Sequence, residues 1–191
     1  MQLIAPHFEA YAGQREEQVL LDVALGSEGI EYLPWDGLSE KTFPETDGIF
    51  WQGISSYHRR LDVFEALLSQ AENQNAVSIN PVSLIRWNIR KTYLRELKTR
   101  GIPILPTLWI KEFSSQEIQA LQQPDVIVKP VISAGAHLTY RLREGDIISW
   151  EEAKKAYAER PKTPIMVQPF APEILERGEL SFLFFGGEFS H

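Results

Sequence analysis

Two lysines and a run of small residues are the first places in this sequence where residue type and spacing suggest chemistry. In Asp125-Val126-Ile127-Val128-Lys129-Pro130, three β-branched residues precede a lysine, the pattern of a buried strand ending on a cation. An ammonium placed there needs an anion beside it or a route to water, because burying it alone is costly. Just beyond stands Ser133-Ala134-Gly135-Ala136, whose small side chains let backbone amides approach an anion and form a nest. A plain turn between two strands would read the same. Arg90-Lys91 is the second cationic spot, expected in the opening turn of a helix capped by Asn88 and running to Arg100. Cations at a helix N-terminus oppose its dipole by a few tenths of a kcal/mol, which a bound anion would offset and a solvated pair would tolerate. Lys91 also lies off the Ile89, Tyr93, Leu97 face, so its stem does not cover the core.

Further along, Met166-Val167-Gln168-Pro169-Phe170 is an apolar strand running into a proline. Its backbone can face the edge of a flat base while apolar side chains cover the ring, although an edge strand would also accept the proline. Glu173, Glu176 and Glu179 are spaced by three, as on one solvated helix face. Glu179, next to Gly178, is the member suited to accept from a sugar hydroxyl, since a carboxylate only accepts. Tyr57-His58-Arg59-Arg60 opens a helix and could hold an acidic group, or be a solvated helix start. His7, His58 and His137 have no serine or carboxylate at motif spacing, so no hydrolytic triad is expected.

The elements that must position these groups follow from composition and periodicity. With 191 residues, 43% hydrophobic and 24% charged, the chain can bury one large or two small cores, and neither disorder nor a fibrous repeat fits. A net charge of -7 disfavours nucleic acid and anionic membranes as partners. The absence of cysteine excludes disulfides and thiolate metal sites. No apolar stretch is long enough for a membrane span and the first residues do not form a leader, so a cytoplasmic location is expected.

Alternating short apolar runs and helical patterns predict an α/β first half with a parallel sheet. Strands are expected at 1–4, 30–33 and 48–51, with helices at 16–25 and 59–71. No glycine-rich dinucleotide turn follows the first strand, which disfavours NAD. A boundary is expected near Asn80-Pro81, giving domains at 1–79 and 80–191. The second half reads as α+β, with helices at 115–121 and 150–160 and strands at 125–129, 138–142 and 165–167. A hairpin at 180–191 turns on Gly186-Gly187.

In order along the chain, Asn80-Pro81, Trp87-Asn88, Lys91 with Tyr93-Leu94, Gly101-Ile102-Pro103, Val128-Lys129-Pro130, Ser133-Ala134-Gly135, Val167-Gln168-Pro169-Phe170 and Gly178-Glu179 with Ser181 resemble the ATP-grasp superfamily. The branch is similar to the prokaryotic glutathione synthetases and their relatives, among them the cyclo-ligase of cycloserine biosynthesis. The resemblance implies a parallel-sheet pre-ATP-grasp domain followed by an ATP-grasp domain. It implies that Lys91 and Lys129 bind ATP phosphates, that Ser133, Ala134 and Gly135 fold over them, that backbone around Val167, Gln168, Pro169 and Phe170 meets adenine, and that Glu179 takes the ribose. It further implies phosphorylation of a small carboxylate, attack by an amine or thiol, and magnesium. The magnesium ligands of such relatives lie in strands with no counterpart here, so the ATP-grasp part is expected to be incomplete at its C-terminus. The unfinished sheet would expose edge groups able to pair with another chain. Arg90, Ser181 and Trp51-Gln52-Gly53 depart from the family pattern, which leaves the substrate open.

Overall fold

The short apolar runs of the first part of the chain pair as parallel strands. A computed structural model of the protein describes the backbone of Leu3–His7 and Ile30–Pro34, and residues 47–51, 54 and 57–190 with their side chains. Strands β1 (Leu3–His7), β2 (Ile30–Pro34), β3 (Gly48–Phe50) and β4 (Val77–Ile79) form one sheet in the order β2-β1-β3-β4. All three pairings are parallel, with Leu3 opposite both Ile30 and Gly48, and Gly48 opposite Val77. The helix expected at 16–25, the segment Trp35-Asp36 and residues 52–53 lie outside the described residues.

Helix α1 (Leu61–Asn73) buries Val63, Phe64, Leu67, Leu68 and Ala71, a helical spacing that puts them on one face. They form the core of this unit with Ile49, Val82 and Ile89. A 3-10 turn, Tyr57–Arg59, precedes the helix.

The helix expected to begin at Asn88 is two helices. Pro81 starts α2 (Val82–Asn88), Asn88 is its last residue, and α3 (Tyr93–Thr99) begins after a turn. Pro81 stands at the N-cap of α2, where its missing N–H costs no helical hydrogen bond, and the helix it opens takes up Asn88 as its last residue. Lys91 therefore occupies the turn between two short helices. Gly101 at φ +80° ends α3: the N–H of Ile102 donates to Leu97 O at 3.0 Å and that of Gly101 to Lys98 O at 3.0 Å. Arg86 ties α2 to α1 through Glu65, through Ser69 at 2.8 Å and through Glu72 at 3.2 Å.

The chain accordingly packs as two units, Met1–Ile104 with Lys129–Leu138, and Leu105–Val128 with Thr139–His191. Helix α2 completes the core of α1 through Val82. The second unit holds β5 (Leu108–Ile110), β6 (Asp125–Pro130, whose last two residues group with the first unit), β7 (Tyr140–Arg143) and β8 (Ile165–Pro169), in the order β5-β8-β6-β7. The pairs β5/β8 and β6/β7 are antiparallel. Strand β8 is therefore interior, not an edge, and its proline is tolerated as the last residue. Helices α4 (Ser115–Gln119) and α5 (Ile147–Ala158) are capped by Ser114 and Asp146, whose side chains accept from Glu117 N and Ser149 N, each at 3.2 Å. In α5, Ala153 and Tyr157 are buried, and Tyr157 stacks on Phe113 with centroids 5.3 Å apart.

After α6 (Glu173–Arg177), only β9 (Phe184–Phe185) and β10 (Glu188–Phe189) pair, antiparallel. Gly186 and Gly187, at φ +59° and +86°, make the turn as their types require. The combination of a parallel sheet with helices and a mixed second half is the α/β and α+β organisation expected. Among the described residues no helix is long and apolar enough to cross a membrane.

Candidate functional site

Lys91 is fixed at both ends. Its backbone N–H donates to Val131 O at 2.9 Å. Its Nζ donates to Ser133 O at 2.7 Å and to Ser133 Oγ at 3.0 Å. Ser133 is buried, so this ammonium is drawn off bulk water onto two uncharged oxygens. Burial first, and the ammonium of Lys129 second, push the Lys91 pKa down to about 8. The two lysines chosen from the sequence thus lie within electrostatic reach of each other.

The loop that Lys91 grips has unusual backbone. Gly135, Ala136 and Leu138 have φ of +58°, +55° and +53°. For Ala136 and Leu138 the left-handed region costs about 1–2 kcal/mol each. Gly135 pays no such penalty, and a Cβ added to it would meet nothing within 4 Å, so its value is conformational. Small residues and left-handed backbone are features of loops whose amides can approach an anion closely. The structure brings together Lys91, Lys129, Ser133, Ala134 and Gly135 within one unit.

The same unit holds a feature absent from the sequence reading. His58 and His137, which share no motif spacing, have ring centroids 4.8 Å apart. Neither ring nitrogen of His58 has a hydrogen-bond partner, and both are buried. Its pKa falls to about 4, through burial first and then the charges of His137, Arg59 and Lys91. Burial, and then Tyr93, raise the Tyr57 hydroxyl. Tyr57–Arg59 is thus not a plain solvated helix start. No spacing rule could pair two histidines so far apart, though His137 directly follows the small-residue loop.

In the second unit, Val167 and Gln168 are buried in β8, and Gln168 Nε2 donates to Thr107 Oγ1 at 3.0 Å. Pro169 has no N–H, and that of Phe170 donates to Asp125 O at 3.0 Å. The Arg141 guanidinium sits 3.4 Å from the centroid of the Phe170 ring. It is held there by Asp125, with Nε to Oδ1 at 2.9 Å and Nη2 to Oδ2 at 2.6 Å. The paired guanidinium lowers the Asp125 pKa. Arg141 was not singled out from the sequence; its signal is an arginine on the strand that pairs with Asp125. Glu179 is exposed and lies beyond α6, so Glu173, Glu176 and Glu179 do not share one helical face. Gly178, at φ +73°, ends that helix before Glu179.

A cleft of about 860 Å³ also opens in this unit, lined among others by Ile118, Val126, Ile147 and Trp150. It contains none of the residues chosen for chemistry. Among the described residues, no group of three or more histidine, aspartate or glutamate side chains gathers to hold a metal ion.

No family model matches the sequence. A curated relative, the cycloserine biosynthesis protein DcsG of Streptomyces lavendulae, is 26% identical over 124 residues, which cover 59% of this chain and 40% of that protein. The crystal structure of D-cycloserine synthetase DcsG superposes with a TM-score of 0.77 at 19% identity, covering all of this chain and 66% of the other. A RimK domain ATP-grasp protein from Sphaerobacter thermophilus gives 0.68 at 14% identity, covering 90% of this chain and 64% of that one. The chain has an ATP-grasp fold. D-alanyl-alanine synthetase A of Vibrio cholerae shares it, with a TM-score of 0.64 at 10% identity, covering 100% of this chain and 65% of its own. The chain spans just under two thirds of the length of these ATP-grasp structures.

The Lys91 geometry predicts its titration. By 13C NMR of the lysine Cε groups, Lys91 should titrate near pH 8. Lys129→Met should raise that value only part of the way to normal, because burial is the larger cause.

Proposed function

We propose that this chain is the nucleotide-recognising part of an ATP-dependent ligase of the ATP-grasp type, which joins a small carboxylate to an amine or thiol. The observation that carries this reading is Lys91, a partly desolvated ammonium held by Ser133 against a left-handed small-residue loop, with Lys129 close enough to depress its pKa. Two cations that repel each other and a small-residue loop with left-handed backbone are together complementary to a polyphosphate. Phosphate oxygens would replace the uncharged oxygens around Lys91 and relieve the repulsion. Recognition of the base falls to β8. There Val167 is buried and Phe170 carries Arg141, and a base would meet carbonyl oxygens, since Pro169 has no N–H and that of Phe170 is taken. Glu179 would accept from the ribose hydroxyls.

In the chemistry we infer, a carboxylate oxygen of the acceptor attacks the γ-phosphorus and ADP leaves. An amine or thiol then attacks the acyl carbon of the acyl phosphate and phosphate departs. Positioning and electrostatics supply most of the acceleration in such transfers. The described residues offer no ligand set for magnesium, so no step is assigned to it. Similarity to synthetases of D-cycloserine and D-alanyl-alanine supports an acceptor of amino-acid size.

One observation favours a second reading, a non-catalytic nucleotide-binding module that needs a partner chain. Leu180, Phe182, Phe184, Phe185 and Phe189 are 60–67% exposed around the C-terminal hairpin, an apolar surface and strand edge that another sheet could cover. Sedimentation should then show association that rises with protein concentration and is lost in Phe184→Glu; a monomer at every concentration contradicts this reading.

For the leading one, Lys91→Ala and Lys129→Ala should each weaken ADP binding by about 1.5–3 kcal/mol, roughly 10- to 150-fold in calorimetry. Affinity should hold below about pH 8 and fall above it, because phosphate binds the ammonium form of Lys91 and the free protein loses that proton near 8. Unchanged affinity in both variants contradicts the assignment.

A further inference from the structure

We propose that His58 and His137 form an oxyanion subsite beside the small-residue loop, taking a carboxylate or phosphoryl oxygen in addition to those that Lys91 and Lys129 hold. The inference rests on the nucleotide reading above only for its place in the reaction, since the subsite is defined by its own residues. A buried imidazole ordinarily satisfies at least one nitrogen, and His58 satisfies neither. The ring is not loose: it lies against His137, tilted by 38° with centroids 4.8 Å apart, and meets Tyr57 edge-on at 6.0 Å. His137 immediately follows the left-handed residues Gly135 and Ala136, so the orphaned donor lies at the end of the loop assigned to phosphate.

The charges around His58 select the ligand. The groups facing it are Tyr57 and Arg59 from its own turn, His137 from the loop, and Lys91 from the turn between α2 and α3. Burial is the first cause of the depressed titration of His58, and His137 with the cationic Arg59 and Lys91 add to it by disfavouring a further positive charge. A metal cation is repelled by the same groups. A neutral hydroxyl would complete a hydrogen bond without relieving the repulsion. An oxyanion does both: it accepts the N–H of His58 and compensates Arg59 and Lys91, so its arrival raises the His58 pKa and draws a proton onto the ring. Two sources share that chemistry, the terminal phosphate of the nucleotide and the carboxylate of the acceptor, and His58 would position whichever oxygen it binds.

The test uses the intact chain labelled with 13C-histidine, the His58 and His137 resonances among its four histidines being assigned from His58→Gln and His137→Gln. The His58 ring is followed by NMR across pH while inorganic phosphate or acetate is added. The subsite predicts a saturable shift of His58 and a rise of its titration from about 4 toward the ordinary range. If ADP alone produces the shift and blocks phosphate, the oxygen comes from the nucleotide. If acetate still shifts His58 with ADP bound, it comes from the acceptor; both results support the subsite. A His58 resonance indifferent to phosphate and acetate, with and without ADP, overturns it. Calorimetry with ADP on the same sample separates the two claims. Normal ADP binding with a silent His58 removes the subsite alone. No ADP binding with a phosphate-responsive His58 removes the nucleotide reading and keeps the subsite.

Discussion

An ammonium drawn off bulk water onto a buried serine is the interaction around which this protein's site is arranged. Lys91 reaches Ser133 because its own backbone is tied to Val131, so the lysine and the small-residue loop hold one another. The Val82–Asn88 helix delivers Lys91 to that turn, and its packing on the Leu61–Asn73 helix comes from Val82, Ile89 and Arg86. A fold that spends core contacts to hold a cation near a second cation is storing electrostatic free energy that an anion can release. Burial first, and the neighbouring cationic groups after it, depress the titrations of Lys91 and His58.

Much of this was legible in the sequence, for identifiable reasons. The Val126-Ile127-Val128 run specifies a strand by β-branching, and a lysine after it had to find a partner or water. Ser133-Ala134-Gly135 marks a turn of small residues, and Gly186-Gly187 a hairpin; the positive φ values at Gly135, Gly186 and Gly187 are what those residues permit. The parallel sheet followed from alternation of apolar runs with helical ones.

What was illegible depended on tertiary contact or on competition between local signals. Pro81 and Asn88 both mark helix starts, and the proline prevails. Leu108-Trp109-Ile110 is too short to stand out, and becomes a strand by pairing with Ile165, Met166 and Val167. That same pairing makes β8 interior, where its proline had suggested an edge. The meeting of His58 with His137, and of Arg141 with Phe170, joins residues remote in sequence, and no periodicity encodes it.

The lysine pair offers a direct chemical readout, because a partly desolvated amine with a pKa near 8 is a better nucleophile at neutral pH than a solvated lysine. Treating the protein with an acyl phosphate of ATP, which acylates amines lying beside the bound phosphates, and mapping the modified peptides by mass spectrometry asks where the nucleotide sits. The account predicts acylation of Lys91 or Lys129 that excess ADP prevents, while exposed Lys154 and Lys155 react little and without protection. Labelling spread over the surface lysines, with Lys91 and Lys129 unprotected by ADP, would contradict it.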